Sequence, residues 1–280
     1  EALAALGEDY LADFQVGTRR FELAEKHLER ALEVNPRNTR AHLVRGKIWF
    51  YDGDLKAATE AFEKALSCNP ASMEARGLVA ASYFVGGNRD AFKKAEQEAL
   101  AINPKAAEFY HAIAQAIEPK FRYPEIVRMC DRALAVDADY WRAYVTLGIN
   151  CLRTGEIERG RRFLDKSWES DRFNIWVFNT RLLLSHMDEN FTTFESDRLI
   201  FSLPKADAPI MRPYLEPLLN EAWETLSKRY KVEIDRPIRI ESFSTHKWFS
   251  ARTVGLEGFA ASGACFGKLV TLTTPKALPQ

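Results

Sequence analysis

A six-residue phrase recurs in this sequence at a fixed interval of 34 residues. It reads ALEVNP at residues 31–36, ALSCNP at 65–70, ALAINP at 99–104 and ALAVDA at 133–138, and a degraded copy, SWESDR, begins at Ser167. Self-similarity at one period is the signature of a repeat architecture, in which each unit buries its apolar face only against its neighbours. The first two-thirds of the chain is therefore predicted to be an array of five units.

Each unit is predicted to be a helical hairpin. One small residue, such as Gly46, recurs in the first half of every unit, and a second, such as Ala65, follows 19 residues later. Small side chains at these points let two antiparallel helices approach closely. Gly53, Gly87 and Gly155 fall between the two halves of their units, and they suit the left-handed backbone that often closes a helix.

This pattern resembles the tetratricopeptide repeat family over roughly residues 5–172. The second unit matches the family motif best, through Gly46, Trp49, Gly53, Ala58, Phe62, Ala65 and Pro70. The resemblance implies an α-solenoid of about five hairpins, with a further helix at about Ile175 to His186 covering the open end. The fourth turn reads EPKFRYPE, with two prolines, so less regular packing is expected there.

The resemblance also implies a peptide-binding groove on the concave face, lined by the first helix of each hairpin. The candidate peptide-binding residues are Arg40, Lys47, Phe50, Tyr51, Phe84, His111, Gln115 and Arg142. The aromatic residues among them predict an anchor site, because exposed aromatic side chains often carry interface energy. The alternative is that these rings pack between the helices as core.

The charges on the same face argue against one specialised form of this groove. The members of the family that clamp a C-terminal carboxylate use Lys, Asn and Arg on adjacent repeats. Here Arg40 and Lys47 are basic, but Asp9 and Asp13 share their face and no asparagine stands at the matching place. The groove is therefore predicted to take a peptide of mixed charge.

Composition narrows the class of partner. Lys+Arg and Asp+Glu both number 39, and no basic stripe marks a phosphate-backbone contact, so a protein or peptide is predicted rather than nucleic acid. No apolar run approaches the ~20 residues that span a bilayer. The four cysteines form no CxxC pair, and Cys130 and Cys151 are predicted to be buried free thiols. No cofactor is predicted for this chain, since no local spacing of histidines suggests a metal site.

After Met187 the 34-residue period is lost. Residues 190–204 predict two short strands around a turn, and residues 212–230 predict an amphipathic helix with Leu215, Leu218, Leu219, Trp223 and Leu226 on one face. The alternating segment 236–244 predicts a strand, THKWFSARTVG a short helix, and CFGKLVTLTTP (265–275) a final strand. The predicted fold class is therefore mostly α, with residues 1–187 as the solenoid and its capping helix and residues 188–280 as a small, incomplete α+β module.

The phrases YLEPLLNEAWETLSKRY, PIRIESF and FAASGACFGKLVTLTTP resemble the start of a peptidase MA-like (gluzincin-type) metallopeptidase domain. That family carries HExxH on its next helix, where two histidines bind zinc and the glutamate acts as general base. No HExxH occurs here, and the sequence stops at Gln280, where that helix would be approached. The sequence, which starts without Met, is interpreted as a piece of something longer.

Three functions stay open from the sequence. The first is a peptide-binding scaffold that presents partners or substrates to an adjoining metallopeptidase domain. The second is a fragment of a zinc-dependent peptidase whose HExxH lies beyond residue 280, in which case zinc belongs to the longer protein. The third is a purely architectural adaptor. No catalytic or metal-binding residue is predicted in this chain.

Overall fold

The computed structural model describes residues 1–12, 19–234 and 237–277. Paired helices make up its first part: α1 (Ala2–Ala12), α2 (Arg19–Val34), α3 (Thr39–Asp52), α4 (Leu55–Cys68), α5 (Met73–Val85), α6 (Arg89–Ile102), α7 (Ala107–Ile117), α8 (Tyr123–Val136), α9 (Trp141–Arg153), α10 (Ile157–Ser170) and α11 (Ile175–Asn190). The helices α3, α5, α7 and α9 begin at residues 39, 73, 107 and 141. The predicted interval of 34 residues and the predicted hairpins are confirmed.

Short polar side chains set where several helices begin. Asn38 precedes α3 and Ser72 precedes α5, and their side chains accept hydrogen bonds of 3.1 Å from the backbone N–H groups of Ala41 and Ala75. Such a cap satisfies a donor that has no partner inside the helix. Gly53 closes α3 with a φ of +91°, a left-handed conformation that glycine adopts without steric cost.

Close contacts hold the hairpins together where small residues were predicted. Ala65 is fully buried, and a Cβ atom placed on Gly46 would overlap the ring of Phe62 in the partner helix α4. A contact that the 34-residue pattern did not predict lies between successive repeats. There a Cβ atom on Gly77 of α5 would overlap the backbone oxygen of Phe109 in α7. Small residues therefore set the spacing both within and between hairpins.

The fourth turn is irregular, as its two prolines predict. A 3₁₀ turn covers Glu118–Lys120, with Pro119 near its start. Phe121 follows with a φ of +57°, in the left-handed region, and is 71% exposed. Non-glycine residues seldom adopt this conformation, because the Cβ atom crowds the backbone. The turn that contains Lys120 therefore departs from the regular backbone of the other hairpin turns.

The chain divides into two compact units, Glu1–Thr146 and Leu147–Gln280, and the division falls within α9. The domain boundary predicted from the sequence lies after residue 187, because the 34-residue period ends there. That boundary remains a prediction. Across the described residues, no helix is both long and apolar enough to cross a membrane. Cys130 and Cys151 are buried thiols and not the halves of a disulfide, as predicted.

The C-terminal unit contains a five-stranded mixed sheet of order β1-β2-β3-β5-β4. Its strands are β1 (Phe191–Glu195), β2 (Leu199–Pro204), β3 (Ile238–Phe243), β4 (Gly263–Phe266) and β5 (Leu269–Thr273), with helix α12 (Ala208–Tyr230) between β2 and β3 and α13 (His246–Val254) after β3. The pairs β2–β3 and β3–β5 are parallel, whereas β1–β2 and β4–β5 are antiparallel hairpins. A short 3₁₀ turn, Pro275–Ala277, follows β5.

Two sequence predictions for this unit need correction. The segment predicted as one final strand is the hairpin β4–β5, and its turn contains Gly267 with a φ of +56°. On α12, Leu215, Leu219 and Trp223 pack against the sheet as predicted. Leu218 is 59% exposed, because the sheet reaches only a narrower stripe of the helix than the helical pattern predicts.

Candidate functional site

A cavity of about 310 Å³ opens in the N-terminal unit, beside the helices α3, α5 and α7. These are the first helices of three consecutive repeats, so the cavity lies on the side where the resemblance places a groove. Its lining residues are Arg20, Lys47, Phe50, Tyr51, Phe62, Glu74, Leu78, Ala112, Gln115, Ala116, Pro119 and Lys120. Four of the predicted groove residues, Lys47, Phe50, Tyr51 and Gln115, are therefore brought together at one place.

The floor of the cavity is apolar. Phe62 is fully buried, Leu78 is 2% exposed and Phe50 is 4% exposed. Ala112 and Ala116 of α7 supply small side chains at the same wall, which leaves room between neighbouring helices. A space of this kind, apolar with a few polar groups at its edge, is typical of ligand pockets.

Cations stand at the edge of the cavity. The Nζ atom of Lys120 donates a 3.0 Å hydrogen bond to the backbone oxygen of Tyr51 and lies 5.8 Å from the centroid of the Phe50 ring. The guanidinium of Arg20 lies over two rings, 4.8 Å from the centroid of Phe21 and 5.3 Å from that of Tyr51. Each ring can attract a cation through its negative face. The edge therefore combines positive charge with aromatic surface.

Lys47 belongs to a chain of alternating charges on the first helices. Its Nζ atom lies 3.0 Å from Glu74 and 3.4 Å from Glu8, and Glu8 also accepts a 2.7 Å bond from Arg40. Burial disfavours the charge on Lys47, but Glu74 and Glu8 outweigh it and raise the pKa of the amine. Burial also disfavours the charge on Glu8, but Lys47 and Arg40 outweigh it and lower the pKa of the Glu8 carboxyl. Lys47 and Glu8 therefore stay charged at neutral pH.

The remaining predicted residues occupy other places. His111 is buried, and its Nε2 lies 2.9 Å from the hydroxyl of Thr146 while its Nδ1 lies 3.3 Å from the hydroxyl of Tyr140. Burial, with a smaller contribution from the nearby Arg142, lowers the pKa of His111 to about 4. Phe84 packs against Phe92, with 5.6 Å between ring centroids. The role of the rings of Phe50 and Phe84 in binding therefore stays a prediction.

Several residues of the predicted groove have side chains that are exposed to solvent. Tyr51 is 42% exposed, and Gln115 and Arg142 also reach the surface. Asp9 is exposed on α1, and Asp13 lies outside the described residues. The carboxylate that pairs with Arg40 and Lys47 is that of Glu8 rather than Asp9.

Sequence reasoning missed several residues of the cavity. Arg20 lies on a second helix, and Lys120 lies in the irregular turn, where the 34-residue period gives no guide. Leu78 and Ala112 read as ordinary core positions. The two prolines around Lys120 are the one signal that its turn departs from the repeat. Among the described ranges of the chain, no group of three or more His, Cys, Asp or Glu side chains could hold a metal ion.

Comparison with known proteins bears on the helical part of the chain. Residues 11–73 match the family model for the tetratricopeptide repeat. No curated protein matches the sequence. The helices that follow this segment continue its 34-residue spacing, as in a tetratricopeptide-like solenoid.

Several solved structures are similar in fold. Yeast Tom70 is 16% identical with a TM-score of 0.49, over 67% of this chain and 39% of that chain. The thermophilic TPR protein TTC0263 of Thermus thermophilus is 17% identical with a TM-score of 0.41, over 65% and 96%. YrrB, a TPR protein with an unusual peptide-binding site, is 16% identical with a TM-score of 0.32, over 65% and 98%.

Proposed function

We propose that the tetratricopeptide repeats of this protein bind a peptide segment of a partner protein in the cavity between α3, α5 and α7. The observation that carries the proposal is an apolar floor with cations at its edge, beside the first helices of three consecutive repeats. Surfaces of helical repeats are extended and commonly serve binding. The peptide places one apolar side chain against Phe50 and Leu78.

Charge orients the peptide in the groove. The ammonium group of Lys120 has three N–H donors, and one of them donates to the backbone oxygen of Tyr51. A carboxylate on the peptide beside the apolar side chain therefore meets Lys120 at the edge. Glu74, which pairs with Lys47, adds negative charge to the same cavity, so the preferred segment carries both signs of charge rather than an acidic run.

The expected affinity is modest. Burying one large apolar side chain in a cavity of about 310 Å³ contributes about 1.5–3 kcal/mol, and partly exposed ion pairs add less than about 1 kcal/mol each. Further contacts along the first helices are needed to offset the ordering of the peptide. We therefore expect dissociation constants in the micromolar range, about −8 kcal/mol.

A test begins with selection from a library of random peptides displayed on phage, with the whole chain as bait. The selected peptides are then measured by fluorescence polarisation against two variants. Ala116→Phe fills the cavity from α7, and we expect at least tenfold weaker binding. The matched control is Ala101→Phe on α6, because Ala101 is exposed and lies outside the cavity lining. Equal affinity in both variants contradicts the assignment of this cavity.

Salt dependence tests the role of charge separately. Lys120→Gln removes a cation at the edge while leaving the apolar floor in place. We expect weaker binding and a shallower dependence of affinity on ionic strength, because the edge cation acts by long-range attraction. Peptides that share one site should displace one another from the chain. If no pair of selected peptides competes in this way, the repeats act as an architectural spacer instead.

A second proposal concerns the C-terminal unit, which we take as the first part of a peptidase MA-like domain. Its support is the resemblance of the sequence together with the order strand, strand, helix, strand, helix, strands around a mixed sheet. In that case the repeats present partners or substrates to a metallopeptidase domain. The alternative is that the chain is a fragment of the zinc-dependent peptidase itself.

The gene sequence around the segment tests this second proposal. An HExxH motif within a few tens of codons after Gln280 supports it, because two histidines one helical turn apart are the zinc ligands of that family. An open reading frame that lacks the motif overturns it and leaves the peptide-binding scaffold alone.

A further inference from the structure

The sheet of the C-terminal unit has one apolar face and one face that is partly polar. On the first face, residues of β2 and β3 such as Phe201 and Ile240 pack with α12. On the other face, Phe243 and Phe249 form an apolar cluster at one end. The other end of that face is polar, which is unusual for a central strand with parallel neighbours.

A row of polar side chains crosses four positions of this second face. Thr193 of β1 stands opposite Ser202 of β2, Ser202 opposite Glu241 of β3, and Glu241 opposite Thr271 of β5. Ser202 is 2% exposed, and Glu241 is 1% exposed. Buried polar groups lower stability unless they are paired, so the partners of these side chains decide what the row can bind.

The positive charge beside this row exceeds the charge of its one carboxylate, Glu241. Arg252 of α13 is 3% exposed, and its Nε donates a 2.6 Å hydrogen bond to Glu241. Arg239 lies two residues before Glu241 on the same strand face. Its Nε atom is buried and has no hydrogen-bond partner among the residues that the structure describes. Two guanidinium groups thus adjoin one carboxylate.

The side chain of Arg239 lines a cavity of about 620 Å³ together with Thr193, Ser202, Glu241, Glu158 and Arg162. Other charges around this cavity are already paired: Arg159 donates to Glu156 at 2.8 Å, and Arg161 donates to Asp188 at 2.8 Å. Within the described ranges, Arg239 and Arg162 form no ion pair. Burial lowers the pKa of Arg239, with Glu241 opposing, which agrees with a guanidinium held away from bulk water.

We infer that this cavity, named here the Arg239 pocket, binds an oxyanion, the chemistry that carboxylates and phosphates share. A guanidinium presents two parallel N–H donors that match two oxygens of such a group. Arg239 supplies this fork. Thr193 donates its hydroxyl hydrogen to the oxygen of Ser202 across 3.5 Å, which leaves the O–H of Ser202 as a further donor. The bound anion balances the charge of the second guanidinium.

The mixed lining sets what kind of oxyanion fits. Glu158 and Glu241 are acidic and Arg162 and Arg239 are basic, so a highly charged anion is repelled by the carboxylates while a group with one or two negative charges is held. The volume of about 620 Å³ is that of a site for a small organic molecule. The ligand class is therefore a small molecule or peptide end that carries one carboxylate or one phosphate.

Side-chain NMR of the ¹⁵N-labelled chain tests this inference directly. The Nε–Hε signal of Arg239 is assigned by its loss in the Arg239→Lys variant. The chain is then titrated with inorganic phosphate in one series and with acetate in another, each at constant ionic strength set with chloride. We expect a saturable shift of the Arg239 signal with a dissociation constant in the millimolar range, and at least tenfold weaker binding in Arg239→Lys.

The matched control residue is Arg172, which is exposed in the loop between α10 and α11. Its signal should move little and without saturation, and Arg172→Gln should leave the titration of Arg239 unchanged. A saturable shift with phosphate alone assigns a phosphate ligand, and one with acetate assigns a carboxylate. If neither anion shifts the Arg239 signal more than the Arg172 signal, the Arg239 pocket is not an oxyanion site.

Discussion

The contact between Gly46 and Phe62 allows a sharp test of how the hairpins pack. Alanine raises helix stability over glycine by about 1 kcal/mol at an unstrained position. At position 46, however, the new Cβ would lie 3.0 Å from Cζ of Phe62 and still closer to Cε1 and Cδ1. Phe62 is fully buried, so moving its ring away from the new methyl group disturbs the side chains that cover it. Overpacking of this kind costs about 1–3 kcal/mol, and we expect Gly46→Ala to destabilise by about 1 kcal/mol net.

A double-mutant cycle with Phe62→Leu separates the two effects. Leucine lacks the Cε1 and Cζ atoms that the new methyl group would meet, so Phe62→Leu alone loses packing but leaves more room for a methyl group at position 46. We expect the double variant to be more stable than the sum of the single changes by about 1 kcal/mol. Urea unfolding followed by circular dichroism measures all four free energies. A higher midpoint for Gly46→Ala, or additive changes, would refute the packing argument.

Three further outcomes are expected. Arg252→Met leaves Glu241 buried without its partner and should cost about 3–5 kcal/mol in urea unfolding, whereas adding Glu241→Leu should recover most of the loss; no recovery would mean that the pair is not the cause. The pKa of His111 is about 4 in the folded chain against an ordinary value of 6.5, so the unfolded chain binds the extra proton and stability should fall by about 3 kcal/mol as pH drops from above 6.5 to 4. His111→Gln should show a shallower decline over that range, and an identical slope contradicts the burial of a neutral imidazole. The chain should retain no stoichiometric zinc after dialysis, because it lacks the HExxH pair; metal analysis by mass spectrometry that finds one zinc per chain would overturn this.

The sequence predicts the helical array well because one physical requirement repeats. Each hairpin needs a small residue where its helices cross, and Gly46 and Ala65 stand at such crossings. The hairpin β4–β5 could not be predicted in the same way. CFGKLVTLTTP reads as a continuous strand, and only Gly267, which adopts a positive φ, signals that the chain reverses there.

The candidate site follows from the sequence only in part. Lys47 and Tyr51 stand four residues apart on α3, so helical geometry alone places them on one face. Lys120 and Arg20 reach the same cavity through an irregular turn and a second helix, and neither position repeats. Contacts of that kind depend on how successive hairpins rotate, which a period along the chain does not encode. The unpartnered Nε of Arg239 is likewise visible only once neighbouring strands and helices are in place.

The hydrogen bond from Lys120 to the backbone oxygen of Tyr51 joins residues 69 positions apart. In an ideal array each repeat contacts only its neighbours, so its ends can open one repeat at a time. Here Pro119 and Lys120 share a cavity with Phe50 and Tyr51, which links the fourth repeat to the second across the third. Opening either one breaks contacts of the other. Amide protons of α3 and α7 should therefore exchange with solvent as one cooperative block, at a rate set by the opening of three repeats together.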